Sequence, residues 1–172
     1  MASGDVKLTY AASGSLDVTN LHSLASSQTW LAGWESALID NTTNLYEDIL
    51  ISGLFKTAAA NNQVGEIRVY VVAMIGDAVW PDVFDGTESV ETISLTNVRD
   101  AVCRLGAVIP VTITASLSYP FGPFSVANLF GGLCPAKFVI FVTGNATTTN
   151  TAQLAADTNI VTQKGVYHTV TP

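Results

Sequence analysis

Two runs of the chain leave little choice of secondary structure. Residues 66–75 (EIRVYVVAMI) and 136–143 (AKFVIFVT) are almost wholly β-branched, aromatic or otherwise apolar. That composition suits a pleated surface. Both read as strands, and the nearly unbroken apolar run of 66–75 suggests burial on both faces.

The remaining chain repeats with period two more often than 3.6. Residues 6–10 and 15–20 read as short strands around the turn Ala11-Ala12-Ser13-Gly14. Residues 21–27 form a polar connection with room for a helical turn. Residues 30–40 follow as a strand, and Asn41-Thr42-Thr43-Asn44 as a turn. Residues 45–57 alternate, with Leu45, Glu47, Ile49, Ile51, Gly53 and Phe55 on one face. A helix competes there, but Gly53 weakens it. Residues 76–95 are a long loop with an acidic middle. Residues 99–114 read as a strand in which Pro110 forces an edge, a break or a bulge. Residues 119–132 are an aromatic loop, because Pro120 and Pro123 oppose a strand; residues 126–130 have room for one helical turn. Residues 144–159 are a polar flexible loop or extended arm, and residues 160–170 are the last strand.

About eight strands with little helix predict an all-β, single-domain β-sandwich over residues 1–172, jelly-roll-like, with long loops and a polar extended segment near the C-terminus. A chain of 172 residues buries enough surface to fold without staples. Cys103 and Cys134 therefore read as two buried thiols. They form no CxxC pattern that would suggest zinc.

Charge narrows the function. Only 12% of residues are charged, about half the usual share, and mean hydropathy is +0.37. A β-scaffold with so few ions has to solvate itself through Ser, Thr and Asn, or share its surface with partners. The net charge is −7, and the cations Lys7, Lys56, Arg68, Arg99, Arg104, Lys137 and Lys164 are scattered. Nucleic acid and anionic membranes need clustered cations, so neither is an expected partner. The first ten residues lack the pattern of a secretion signal, and no apolar stretch approaches a membrane span.

Catalytic chemistry finds little footing. His22 and His168 have no nucleophile elbow beside them. The acids Glu35, Asp40, Glu47, Asp48, Asp82, Asp85, Glu88 and Glu91 offer pairs by number alone; Glu35, next to Trp34, is the most suggestive of a glycosidase acid. Residues 77–91 carry Asp82, Asp85, Gly86 and Glu88, oxygen donors suited to calcium, but without the EF-hand spacing. No glycine-rich phosphate cradle is present. The expectation is a protein that is not an enzyme and holds no metal or cofactor. The remaining constellation is aromatic: Trp80, Phe84, Tyr119, Phe121, Phe124 and Phe130 fall in the two long loops. They read either as plugs at the ends of a sandwich or as anchors in a protein interface.

Residues 7–46, 67–73 (IRVYVVA), 80–92 (WPDVFDGTESVET), 99–108 (RDAVCRLGAV) and 119–145 (YPFGPFSVANLFGGLCPAKFVIFVTGN) together resemble small virion structural proteins of tailed bacteriophages. The resemblance implies a cement or decoration protein. Such a protein is made in the host cytoplasm and sits on the capsid surface of the virion. It binds the major capsid protein, and itself as a homodimer or homotrimer. It carries over no active-site residue. On this reading residues 144–159 and the termini reach onto neighbours, and the two aromatic loops anchor there. The alternatives are a tail or fibre module that recognises host glycans through Trp30, Trp34 or Trp80, and a small hydrolase built on Glu35.

Overall fold

The computed structural model describes residues 4–59, 64–76, 78–112, 116–146 and 152–170. Eleven strands appear in the order β1 Val6–Tyr10, β2 Gly14–Ser15, β3 Ala32–Glu35, β4 Ile39–Asp40, β5 Asp48–Lys56, β6 Gly65–Ala73, β7 Ser89–Thr92, β8 Cys103–Val111, β9 Ser118–Ser125, β10 Lys137–Ala146 and β11 Ile160–Val170. A 3-10 turn spans Thr19–Leu21, and two short helices, α1 Thr96–Val102 and α2 Val126–Leu129, precede β8 and follow β9.

The strands form two antiparallel sheets. One runs β1-β11-β5-β9, with β2 also on β11; the other runs β7-β3-β10-β6-β8, with β4 also on β10. The pairs β1/β11, β3/β10, β5/β9 and β6/β8 are nested along the sequence and fall alternately in the two sheets. That is the strand order of a jelly roll, with β7 added outside β3. The fold is the expected all-β sandwich.

Alternation decides which side chains fill it. On β5, Ile49, Ile51 and Phe55 are buried while Leu50, Ser52, Leu54 and Lys56 are half-exposed. Gly53 is required for packing: a Cβ there would lie 2.6 Å from the Phe121 ring, which stacks on Phe55 at 4.7 Å. On β6 and β10, Val69–Val72 and Phe138–Val142 are buried on both faces. One face feeds the main core; the other feeds a second cluster around Tyr70, Val72, Val139 and Phe141.

Several expectations need correction. Residues 119–125 are strand, not loop: β9 is an edge strand, where proline costs no ladder bond. An irregularity between the Ile51/Phe124 and Gly53/Phe121 pairs accommodates Gly122 and Pro123. Residues 99–102 belong to helix α1, and the expected strand begins only at Cys103; its residues 113 and 114 lie outside the described residues. The loop 76–95 contains β7. The strand expected over 30–40 is interrupted between Glu35 and Ile39, and that over 15–20 gives way to the 3-10 turn.

The largest correction concerns residues 144–159. Residues 144–146 end β10, and 147–151 lie outside the described residues, as do 1–3, 171 and 172. Residues 152–159 are not a free arm. Gln153 and Leu154 are 1% exposed. Gln153 N–H donates to the Leu24 carbonyl at 2.7 Å, its carbonyl accepts from Ala58 N–H at 3.0 Å, and Ala155 N–H donates to the Lys56 carbonyl at 2.8 Å. The segment is stitched between residues 23–25 and the end of β5.

Candidate interaction surface

The two sheets treat their outer faces differently. Beyond the six-stranded sheet, the second cluster is roofed by residues 80–98. Phe84 meets Phe141 edge-on at 5.5 Å, and Ile93 is 1% exposed. Leu31, Trp80, Val83, Val98 and Val102 pack around them. Arg99 fastens α1 below, donating to the Thr29 carbonyl at 2.9 Å and to Asp100 at 2.6 Å.

This roof is pinned by acids. Glu35 on β3 is fully buried. Its Oε1 accepts N–H groups from Gly86 at 2.7 Å and Asp85 at 3.2 Å, and its Oε2 is buried without a partner. Burial pushes this carboxyl up to about 7; the two N–H donors oppose the shift, and the charges of Asp85 and Glu91 add to it. Glu88 accepts from Trp34 Nε1 at 2.5 Å and from Asn20 N–H at 2.7 Å. Asp82 accepts from Ser94 N–H at 2.8 Å, and Asp85 from Thr87 N–H at 2.7 Å. Each acid serves the backbone or side chains near it. Among the described residues no three His, Cys, Asp or Glu side chains are grouped to hold a metal; residue 77, part of the acidic loop, lies outside them.

The other acids and both histidines are likewise engaged locally. Asp40 accepts from Thr42 Oγ1 at 2.6 Å and Thr42 N–H at 2.8 Å, which holds its carboxyl below the usual range. Asp48 accepts from Ala127 N–H at 2.8 Å at the start of α2. His168 Nδ1 lies 2.5 Å from Glu47, and His22 Nδ1 lies 3.0 Å from Asn159. A cleft of about 410 Å³ runs past His22, Ser23, Gly33 and Val90, and of its lining only His22 ionises.

The six aromatics named from sequence do not form one outward patch. Phe84 is 3% and Phe121 7% exposed. Trp80 packs in the second cluster; Tyr119, Phe124 and Phe130 pack against the first. Phe84 and Phe121 are buried, and the other four are half-buried. Phe124 closes one side of the sandwich: a Cβ on Gly106 of β8 would lie 2.5 Å from its ring.

The outer face of the five-stranded sheet has no roof among the described residues. Register places Val6 beside Val170, Leu8 beside His168, and Tyr10 beside Val166. Lys164 and Leu50 continue that face, as do Ile160 and Leu54. Val6 is 68%, Tyr10 52% and Val170 66% exposed. The outward face of a solvated antiparallel sheet is ordinarily polar; here β1 is inverted, with Val6, Leu8 and Tyr10 outward and Thr9 half-buried. Its polar groups are Lys164, which lies over the Tyr10 ring at 5.5 Å, His168, paired with Glu47, the hydrogen-bonded Ser52 and Thr162, and Lys56, paired with Asp157. Sequence reasoning missed this surface. Its only signal was the alternation of residues 6–10, which does not say which side faces in.

No protein-family model, characterised protein or solved structure matches the chain.

Proposed function

We propose that this protein is a structural component of a tailed-phage virion. It binds the outside of the head and stabilises contacts between major capsid protein subunits, as a cement or decoration protein. One observation carries this reading: among the described residues the outer face of the five-stranded sheet leaves Val6, Leu8, Tyr10, Ile160 and Val170 exposed with no segment over them, while residues 80–98 roof the other sheet. Uncovered apolar area of this kind marks contact surfaces. Three features support it further. The jelly-roll strand order is one that capsid proteins use, which is an argument by analogy of fold. The ion-poor composition fits a subunit with covered surface. Among the described residues, the acids named above and both histidines are tied up in local contacts.

Cementing needs only modest contacts per copy. Many copies on one shell act together, because each linked contact raises the effective concentration of the next. The protein's place is then the capsid surface, with the major capsid protein and further copies of itself as partners.

The glycan-binding alternative draws less support. Trp34 is fully buried, Trp30 carries the Arg68 guanidinium 3.9 Å over its ring, and Trp80 packs into the roof. None of the three is a fully exposed indole. The test is re-addition of purified protein to shells stripped of accessory proteins. Saturable binding with a raised temperature of shell disruption is expected. Binding to a glycan array with none to shells overturns the proposal.

A further inference from the structure

On the unroofed face of the five-stranded sheet, most ions are already engaged. Lys56 pairs with Asp157, His168 with Glu47, and Asp48 accepts the Ala127 N–H at 2.8 Å. Lys164 of β11 lies on the same face, paired in register with Leu50. Among the described residues its ammonium has no carboxylate within ion-pair reach; its neighbour is the Tyr10 ring, 5.5 Å away.

Lys164 stands at a shallow depression of about 300 Å³. Tyr10, Leu50 and Pro123 give it apolar walls, and Ser13 and Ser52 complete the lining. The walls come from β1, β5 and β9 and the cation from β11, so the ladder of all four strands fixes the site. Tyr10 is 52% exposed. Ser52 is occupied by Thr162, whose Oγ1 donates to the Ser52 carbonyl at 3.1 Å and lies 2.9 Å from the Ser52 hydroxyl. Among the described residues no acidic side chain lines the depression.

Two requirements meet here. Exposed apolar walls favour an apolar cover. An apolar cover alone would strip water from the ammonium and return nothing for it, and a cation–π contact at an exposed site offsets little. The occupant that meets both requirements is an apolar side chain with a carboxylate beside it. Once water is excluded, the charge-assisted bond between carboxylate and ammonium gains strength.

We infer that this depression is where a neighbouring protein docks an apolar side chain flanked by a carboxylate, the carboxylate pairing with Lys164. Charge complementarity selects the occupant. A second copy is disfavoured on this face, because each chain carries −7 and like net charges repel. That the neighbour is the capsid protein rests on the assembly reading; the chemistry it brings deepens that reading.

The first test needs no shell. Nuclear magnetic resonance titration of the full chain with 3-phenylpropionate is expected to shift the amides of Tyr10, Leu50 and Lys164 together, with a millimolar dissociation constant. The uncharged 3-phenylpropanol is expected to bind about threefold more weakly, and acetate not detectably. Lys164→Met keeps an apolar stem and removes the charge, and is expected to bring acid and alcohol to equal affinity. Lys164 is exposed, so the variant folds, which an unchanged unfolding midpoint verifies. The second test uses the stripped shells, where Lys164→Glu is expected to weaken binding about tenfold. Acid and alcohol binding alike, acetate shifting the same amides equally, or a preference that survives Lys164→Met overturns the inference. So does shell binding indifferent to Lys164→Glu, and so does self-association that Lys164→Glu abolishes, which would make a second copy the occupant. A chain that takes the acid with the expected preference but ignores shells sinks the assembly reading and upholds the docking chemistry.

Discussion

The Glu35 carboxylate accepts the Gly86 N–H at 2.7 Å and so ties the six-stranded sheet to the loop that roofs it. Burial raises this carboxyl from its ordinary 4.5 to about 7, and the sign of the consequence follows. Below about pH 4.5 both folded and unfolded chains hold the proton, and there is no penalty. Between 4.5 and 7 the folded chain holds a proton that the unfolded chain has lost, so stability falls as pH rises. Above about 7 the loss is complete, at about 3 kcal/mol. Urea unfolding at pH 5 and pH 8 is expected to show this component, and Glu35→Gln to remove it and leave the variant the more stable at pH 8.

Gly53 and Phe121 test the packing between β5 and β9. A methyl group at residue 53 would run into the Ile160 backbone carbonyl oxygen and lie 2.6 Å from the Phe121 ring, which is held by Phe55. Gly53→Ala is expected to cost about 1–3 kcal/mol, a fall of about 3 to 10 °C in Tm. Calorimetry measures it.

Residues 152–155 test whether the late polar segment belongs to the body. With Leu154 1% exposed, Leu154→Ala is expected to cost about 2–5 kcal/mol. Deletion of 146–157 removes Gln153 and Leu154 together and is expected to impair folding of the isolated chain. An arm would be removed without loss.

The two thiols should be inert in the folded protein. Burial pushes Cys103 up to about 12 and Cys134 up to about 11, so little thiolate is present at neutral pH. Alkylation at pH 8 is expected to be slow in the native state and complete after denaturation, as mass spectrometry would report.

How far the sequence carried depends on which facts are local. β6, β10 and β11 were legible because their runs are long and apolar or alternating. Gly53 correctly argued β5 away from a helix, and Pro110 correctly allowed an edge. β9 was hidden because Pro120 and Pro123 rule out a central strand; only its pairing with β5 places it at an edge. β7 was hidden inside an acidic stretch, and α1 inside residues read as strand. The aromatics were visible as a group, yet whether Phe84 and Phe121 point in or out depends on what lies across the fold. The same holds for Val6, Leu8 and Tyr10. Their alternation is plain, but their outward direction is set by pairing with β11, more than 150 residues away in sequence.

The most direct measurement is a cryo-electron microscopy reconstruction of the assembled particle at side-chain detail. The expected map places this jelly roll on the shell with the Val6, Tyr10 and Val170 face buried against neighbouring protein. A map in which that face looks into solvent, or a particle that lacks the protein, would contradict the account.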